Sequence, residues 1–309
     1  MAEARADVGA GVRLVGVIGS PVGHSLSPLL HNTAFAALGL GDEWRSYAFE
    51  VPAGEAARAL EDMRSTGVSG LSVTMPHKGD VAKLVDECSE TASRLGAVNC
   101  VLAREDGSLF GANTDGPGFV ASLARGVGFE PQGRRCVVIG AGGAARAVIL
   151  ALADAGAAQV AVVNRTPERA VGAADLARPV GVAVPAADRA QVEATVGEAD
   201  LVVNATPVGM TAPALVAGGG ASAPAPAAAA GEWLVPPGLL RPGQVAADLV
   251  YVPRLTWWLA AARRAGATPL DGLGMLVHQA AAQLVLWTGL EPPVGAMWEA
   301  AEAASPLAG

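Results

Sequence analysis

Apolar runs alternate with amphipathic helical stretches from near the start of the chain, which predicts an α/β protein built mainly on parallel strands. The runs at 14–18, 71–74, 136–139, 159–164, 201–204 and 245–250 read as strands, and Trp44, Tyr47 and Phe49 mark another. Residues 98–103 and 109–112 flank Glu105, Asp106 and Gly107, a turn signal for a hairpin. Helical spacing places Ala56, Ala59, Leu60 and Met63 on one face of a helix opened by Pro52. Ser27 and Pro28 read as the N-cap and first turn of a helix that runs to about residue 38. Further helices are expected near 256–265 and over 275–287, with Trp257, Trp258, Trp287 and Trp298 as packing residues. Gly116, Pro117 and Gly118 punctuate the chain as a hinge and domain boundary. Residues 212–231 are almost all Ala, Gly, Pro and Ser, a low-complexity insertion read as a surface loop.

The strand at 136–139 runs straight into Gly140-Ala141-Gly142-Gly143-Ala144-Ala145. A dinucleotide fingerprint needs this context: a tight turn at Gly140, close backbone approach at Gly142, and a small residue at Ala145 where helix meets strand. The N–H groups opening the next helix would face a pyrophosphate. The following strand, 159–164, ends without the acidic residue that binds a free ribose 2′-hydroxyl. Asn164, Arg165, Thr166 and Arg169 stand there instead. Two guanidiniums and a hydroxyl suit a phosphate dianion, so the expected cofactor is NADP(H).

Length and composition narrow the class. At 309 residues two domains are expected, and 51% apolar with 16% charged residues describes a globular chain. The net charge of −8 argues against nucleic acid as a partner, since binding there rests on neutralising phosphates. No apolar stretch is long enough for a membrane span. Glu3, Arg5 and Asp7 are followed by no hydrophobic block, so the N-terminus reads as a loose tail and not a signal peptide. Cys88, Cys100 and Cys136 lack paired spacing and read as small apolar residues of a reducing, cytoplasmic compartment. The four histidines lack metal-ligand spacing, and no metal is expected.

In open α/β sheets ligands bind beyond the carboxyl ends of the strands. Those ends carry Ser20, His24, Ser25 and Ser27 after the first strand, and Ser72, Thr74, His77 and Lys78 around the third. Asn99 and Asn113-Thr114-Asp115 lie at the hairpin, and Gln279 on the last predicted helix. A lysine just past a buried strand can serve a carbonyl or alcohol oxygen when a carboxylate fixes its orientation, and Asp115 is the candidate partner. Spacing alone leaves open an ordinary surface lysine and a turn aspartate. Ser25 and Ser27 could share an anion, and helix capping explains Ser27 equally well. His77 is a secondary candidate for proton relay by adjacency to Lys78.

Taken in order, Ser20-Pro21-Val22-Gly23-His24-Ser25-Leu26-Ser27-Pro28, Val73 to Lys78, Gly96-Ala97-Val98-Asn99 and Gly111 to Gly116 resemble the shikimate dehydrogenase family. The Gly140 turn, Asn164-Arg165-Thr166, Asn204 to Met210, Asp248-Leu249-Val250-Tyr251 and Gln279 extend the resemblance over nearly the whole chain. It implies reversible NADPH-dependent reduction of 3-dehydroshikimate to shikimate, toward chorismate and the aromatic amino acids. A paralogue acting on quinate or an aminated shikimate, or a non-catalytic nucleotide-binding regulator, is the alternative. Lys78 and Asp115 would be the catalytic pair, with Ser25 and Ser27 on the substrate carboxylate. Ser72, Thr74, Asn99, Asp115, Tyr251 and Gln279 would contact the substrate ring. Gly140, Ala141, Gly142, Gly143, Ala144, Asn164, Arg165, Thr166 and Arg169 would hold the cofactor, with Leu249, Gly272 and Met275 near the nicotinamide and Glu90 as a further contact. The implied fold is a substrate domain of residues 1–115 plus 272–309 and a Rossmann-type cofactor domain of 116–271, with a homodimer left open. Three positions depart from the family pattern: Ser72 where Asn is common, Cys100 where Thr is usual, and Val252 where Asn is common.

Overall fold

The structure is a computed structural model that describes residues 1–7, 9, 11–210 and 234–305. The predicted insertion at 212–231 lies outside the described residues. The chain divides into two compact units, Met1–Gly118 with Leu276–Ala304, and Phe119–Met275 with the C-terminal residues.

The first unit opens with a short helix, α1 (Ala2–Asp7), where the sequence reads as a loose tail; Met1 and Ala4 pack against the core and hold it. Then follow β1 (Arg13–Gly19), α2 (Ser27–Ala37), β2 (Trp44–Glu50), α3 (Ala56–Thr66), β3 (Val68–Val73), α4 (Lys78–Leu84), β4 (Glu87–Cys88), α5 (Glu90–Leu95), β5 (Cys100–Ala103), β6 (Leu109–Ala112) and the start of α6 (Asp115–Val127). The sheet order is β2-β1-β3-β5-β6-β4. β1 is parallel to β2 and β3, while β5 is antiparallel to β3 and β6, the predicted hairpin. Pro52 does not open a helix. Glu55 donates its N–H to the Pro52 carbonyl in a turn, and α3 starts at Ala56. The apolar stripe Ala56, Ala59, Leu60 and Met63 is buried against Leu14, Ile18, Leu71 and Val73. Gly67 ends α3 with φ +68°, a left-handed conformation that glycine adopts without a Cβ penalty.

The second unit runs β7 (Arg135–Ile139), α7 (Gly143–Asp154), β8 (Gln159–Asn164), α8 (Pro167–Ala174), β9 (Gly181–Pro185), α9 (Arg189–Glu198), β10 (Leu201–Asn204), β11 (Val245–Asp248), α10 (Trp257–Arg264), β12 (Thr268–Leu270) and the start of α11 (Leu273–Thr288). All its strands are parallel in the order β12-β11-β10-β7-β8-β9. That is the doubly wound order whose switch point lies between the first and fourth strands, here β7 and β10. Side chains alternate along each strand, so Cys136, Val138, Val160 and Val162 pack into one core and Val137, Ile139, Ala161 and Val163 into the other. A sheet covered on both faces explains why its strands read as unbroken apolar runs.

The rest of α11 and α12 (Val294–Ala304) belong to the first unit. There the Trp287 indole lies over Gly70 of β3 and donates to the Val101 carbonyl at 3.1 Å; a Cβ at Gly70 would occupy the ring. Trp258 is likewise fully buried, whereas Trp257 is 39% exposed and is not a core residue. Gly116, Pro117 and Gly118, read as hinge punctuation, lie inside the first turn of α6, where proline is tolerated. Gly118 is needed for approach: a Cβ there would meet the Gln279 backbone nitrogen at 2.7 Å.

Candidate active site

On the first unit, the loop after β3 turns at Met75 and Pro76 into α4, which begins at Lys78. The loop after β6 carries Asn113 and Thr114 into Asp115, the first residue of α6. Two segments distant in sequence therefore meet. Lys78 Nζ lies 2.6 Å from Asp115 Oδ2, with side chains 20% and 8% exposed. A pair so sheltered is not an ordinary surface ion pair. The other carboxylate oxygen, Oδ1, accepts from Asn99 Nδ2 at 2.7 Å. The rest of the Asn99 amide is committed to the same corner. Its Nδ2 also donates to Thr114 Oγ1 at 3.0 Å, and its Oδ1 accepts the Thr114 N–H at 2.7 Å. Thr114 Oγ1 in turn donates to the Gln279 carbonyl at 3.1 Å, tying α11 to the same point.

The loop after β1 stands beside this group, since β1 and β3 are neighbours and Ser20 N–H donates to the Met75 carbonyl. Glu50 at the end of β2 shapes it, accepting from Ser20 Oγ at 2.7 Å and from Val22 N–H at 2.9 Å. Those bonds, from Ser20 first and Val22 next, hold the Glu50 carboxyl below its ordinary range. Ser27 is not the N-cap. Leu26 occupies that position, with no side-chain capping bond, and Ser27 is the first helical residue. Ser25 Oγ instead accepts the Ser27 N–H at 3.2 Å, which leaves its own O–H to donate. Thr74 is half-buried beside Gly19, and Ser72 is buried in β3 opposite Cys100. His77 is fully buried and donates from Nε2 to the Val51 carbonyl at 2.7 Å, so adjacency to Lys78 gives it no relay role. Glu90 is an exposed residue in the first turn of α5, on the first unit.

On the second unit, Gly140 has φ +109°, and its Cα faces the Ala205 carbonyl at the β7–β10 switch point. Gly142 and Gly143 are exposed with open space where a Cβ would be, at the N-terminus of the 12-residue α7. Ala141 and Ala144 flank them, half-buried. Arg165, Thr166 and Arg169 are exposed after β8, and Asn164 Nδ2 donates to the Thr166 carbonyl at 3.0 Å. Free amides at a helix start, room for close approach and two guanidiniums with no carboxylate at the strand end fit a dinucleotide bearing a 2′-phosphate. Gly272 packs so closely on the Leu249 carbonyl that a Cβ would collide with it, and Met275 is buried in the same core. Asp248, at the end of β11, accepts from Asn204 Nδ2 at 2.9 Å, Thr256 Oγ1 at 2.8 Å and Val250 N–H at 3.1 Å. Burial still prevails and pushes its carboxyl up to about 7. Burial also raises the half-buried Tyr251 phenol.

A match to the shikimate dehydrogenase substrate-binding domain covers residues 17–101, one to shikimate/quinate 5-dehydrogenase covers 122–213, and one to the shikimate 5′-dehydrogenase C-terminal domain covers 272–302. The chain belongs to the shikimate dehydrogenase family. It is 44% identical over 293 residues to shikimate dehydrogenase (NADP⁺) of Moorella thermoacetica, covering 94% of this chain and 92% of the relative. The corresponding protein of Rubrobacter xylanophilus is 43% identical over 285 residues, covering 92% and 93%. The crystal structure of shikimate 5-dehydrogenase from Thermus thermophilus with NADP(H) and shikimate superposes with a TM-score of 0.79 at 38% identity, covering 95% of this chain and all of that one. Two residues of the site carry no role that sequence reasoning assigned. Thr114 is visible there only as one polar residue in a run. Gln283 recurs one turn after Gln279 in a largely apolar helix, a signal that could have singled it out.

Proposed function

We propose that the protein catalyses the reversible NADP(H)-dependent interconversion of 3-dehydroshikimate and shikimate. The observation that carries this reading is the sheltered 2.6 Å contact between Lys78 and Asp115, on the unit that matches the family's substrate-binding domain. NADPH, when bound, supplies the hydride to the carbonyl carbon. Lys78 donates the proton that the carbonyl oxygen needs as it becomes a hydroxyl, and takes that proton in the reverse direction. Its partial exposure lets the proton be replaced from solvent. Asp115 fixes the ammonium through Oδ2 while Asn99 pins the carboxylate through Oδ1, so the donor is placed before substrate arrives. Ser25 and Ser27 bind the substrate carboxylate, and Thr74 and Gln279 contact ring oxygens. Asn99 serves chiefly to orient Asp115, because both of its amide hydrogens are already committed. Arg165, Thr166 and Arg169 select the 2′-phosphate.

The deciding experiment compares oxidation of shikimate and quinate, each with NADP⁺ and with NAD⁺. Shikimate with NADP⁺ is expected to have the highest kcat/KM of the four pairs. Faster turnover of quinate with NAD⁺ would overturn both the substrate and the cofactor assignment.

A further inference from the structure

Behind the Lys78–Asp115 pair stands a buried amide that the mechanism does not use. Gln283, on α11, is 0% exposed. Its Nε2 donates to the Asn99 carbonyl at 3.0 Å and to Gln279 Oε1 at 3.0 Å. One acceptor is the main chain of the residue that pins Asp115. The other is the side chain of a proposed substrate contact. Gln279 Nε2 gives one hydrogen to the Leu276 carbonyl at 2.9 Å. Gln279 Oε1 is thus engaged by Gln283 on the buried side, and the second hydrogen of its Nε2 is uncommitted among the described residues.

What orients Gln283 is legible on its other side. Gln283 Oε1 and His31 Nε2 are both buried without a hydrogen-bond partner among the described residues. His31 Nδ1 lies 3.1 Å from Ser46 Oγ, and the ring stacks edge-on against Trp287 at 4.8 Å. Burial lowers the imidazole to about 4, with the Gln283 side chain acting in the opposite sense, so the ring is neutral at physiological pH. A neutral ring that accepts from the Ser46 hydroxyl at Nδ1 carries its hydrogen on Nε2, where an amide oxygen is the complementary group. A reversed Gln283 amide would set its NH₂ toward that N–H and its oxygen toward two acceptors, leaving buried groups unsatisfied.

We infer that Gln283 is a positioning residue that holds Gln279 Oε1 and so turns the uncommitted N–H of the Gln279 amide toward the substrate, where it would meet an acceptor oxygen. The inference rests on the functional reading above. Its test uses Gln283→Met, which keeps size and loses the donor, and Gln283→Glu, which can donate only while protonated. With Gln283→Met, KM for shikimate is expected to rise about tenfold, the equivalent of about one hydrogen bond, with kcat within about twofold and NADP⁺ affinity unchanged. With Gln283→Glu, KM for shikimate should climb as pH rises and the carboxyl ionises, while the wild-type KM shows no such climb. A purely structural role would lower the active fraction and so kcat, and would leave KM alone. Unchanged KM for shikimate in both variants, with an active wild type, overturns the positioning role by itself. A wild type inactive on shikimate instead overturns the functional reading.

Discussion

Two buried aspartates show how the partner of a carboxylate decides its use. Asp115 accepts from an ammonium and an amide, the geometry that the proposed role of orienting a proton donor needs. Asp248 accepts from neutral donors, and burial first, with the charge of Asp271 acting in the same sense, raises its carboxyl to about 7. Because the folded-state value lies above the unfolded one, its contribution to stability is fully present below the ordinary carboxyl range and is lost as pH rises through about 7. Asp248→Asn keeps the shape, and its amide can still accept from Asn204 and donate to Thr256. Between about pH 5 and about pH 8 the wild type should therefore lose about 2 to 3 kcal/mol relative to the variant in urea unfolding. Parallel stability curves would show that the Asp248 carboxyl is not raised. The sequence motif around Asp248 is plain to read, but its protonation is not, because burial depends on the whole core.

At the scale of elements, periodicity was most readable where packing is simplest. The strands of the second unit are covered on both faces and stand out as apolar runs, so 159–164 and 201–204 coincide with β8 and β10. Short helices such as α5 and α9 are set by local caps, Ser89 accepting the Ala92 N–H and Asp188 the Gln191 N–H, and leave little periodic signal. Gly116-Pro117-Gly118 does mark the boundary, since the two units divide after Gly118, but it does not interrupt the helix. Proline and glycine mark a break in a helix interior, yet a helix start tolerates the one, and close contact with Gln279 requires the other. At the β8–α8 connection, strand end and helix start together expose Arg165 and Arg169, the residues proposed to select the 2′-phosphate. Arg165→Ala should weaken NADP⁺ about tenfold or more and NAD⁺ by less than about twofold, measured by calorimetric titration. Equal losses for both cofactors would remove the 2′-phosphate role from this arginine.

At the scale of the molecule, the chain builds two units, entering the second within α6 and returning to the first within α11. Family resemblance implied that return; hydrophobic patterning could not, because an amphipathic helix does not say which core it covers. The site was legible to the same degree. Lys78, Asp115, Asn99 and Gln279 can be singled out from sequence as candidates, while the bonding that commits Asn99 to Asp115 and Gln283 to Gln279 depends on side-chain orientations that only the folded core sets. The most direct measurement is steady-state shikimate oxidation by Lys78→Ala, taken together with its NADP⁺ affinity. Expected is a kcat lowered by about 10²- to 10⁴-fold with NADP⁺ binding unchanged. Near-normal turnover in that variant would contradict the assignment of Lys78 as the acid and base.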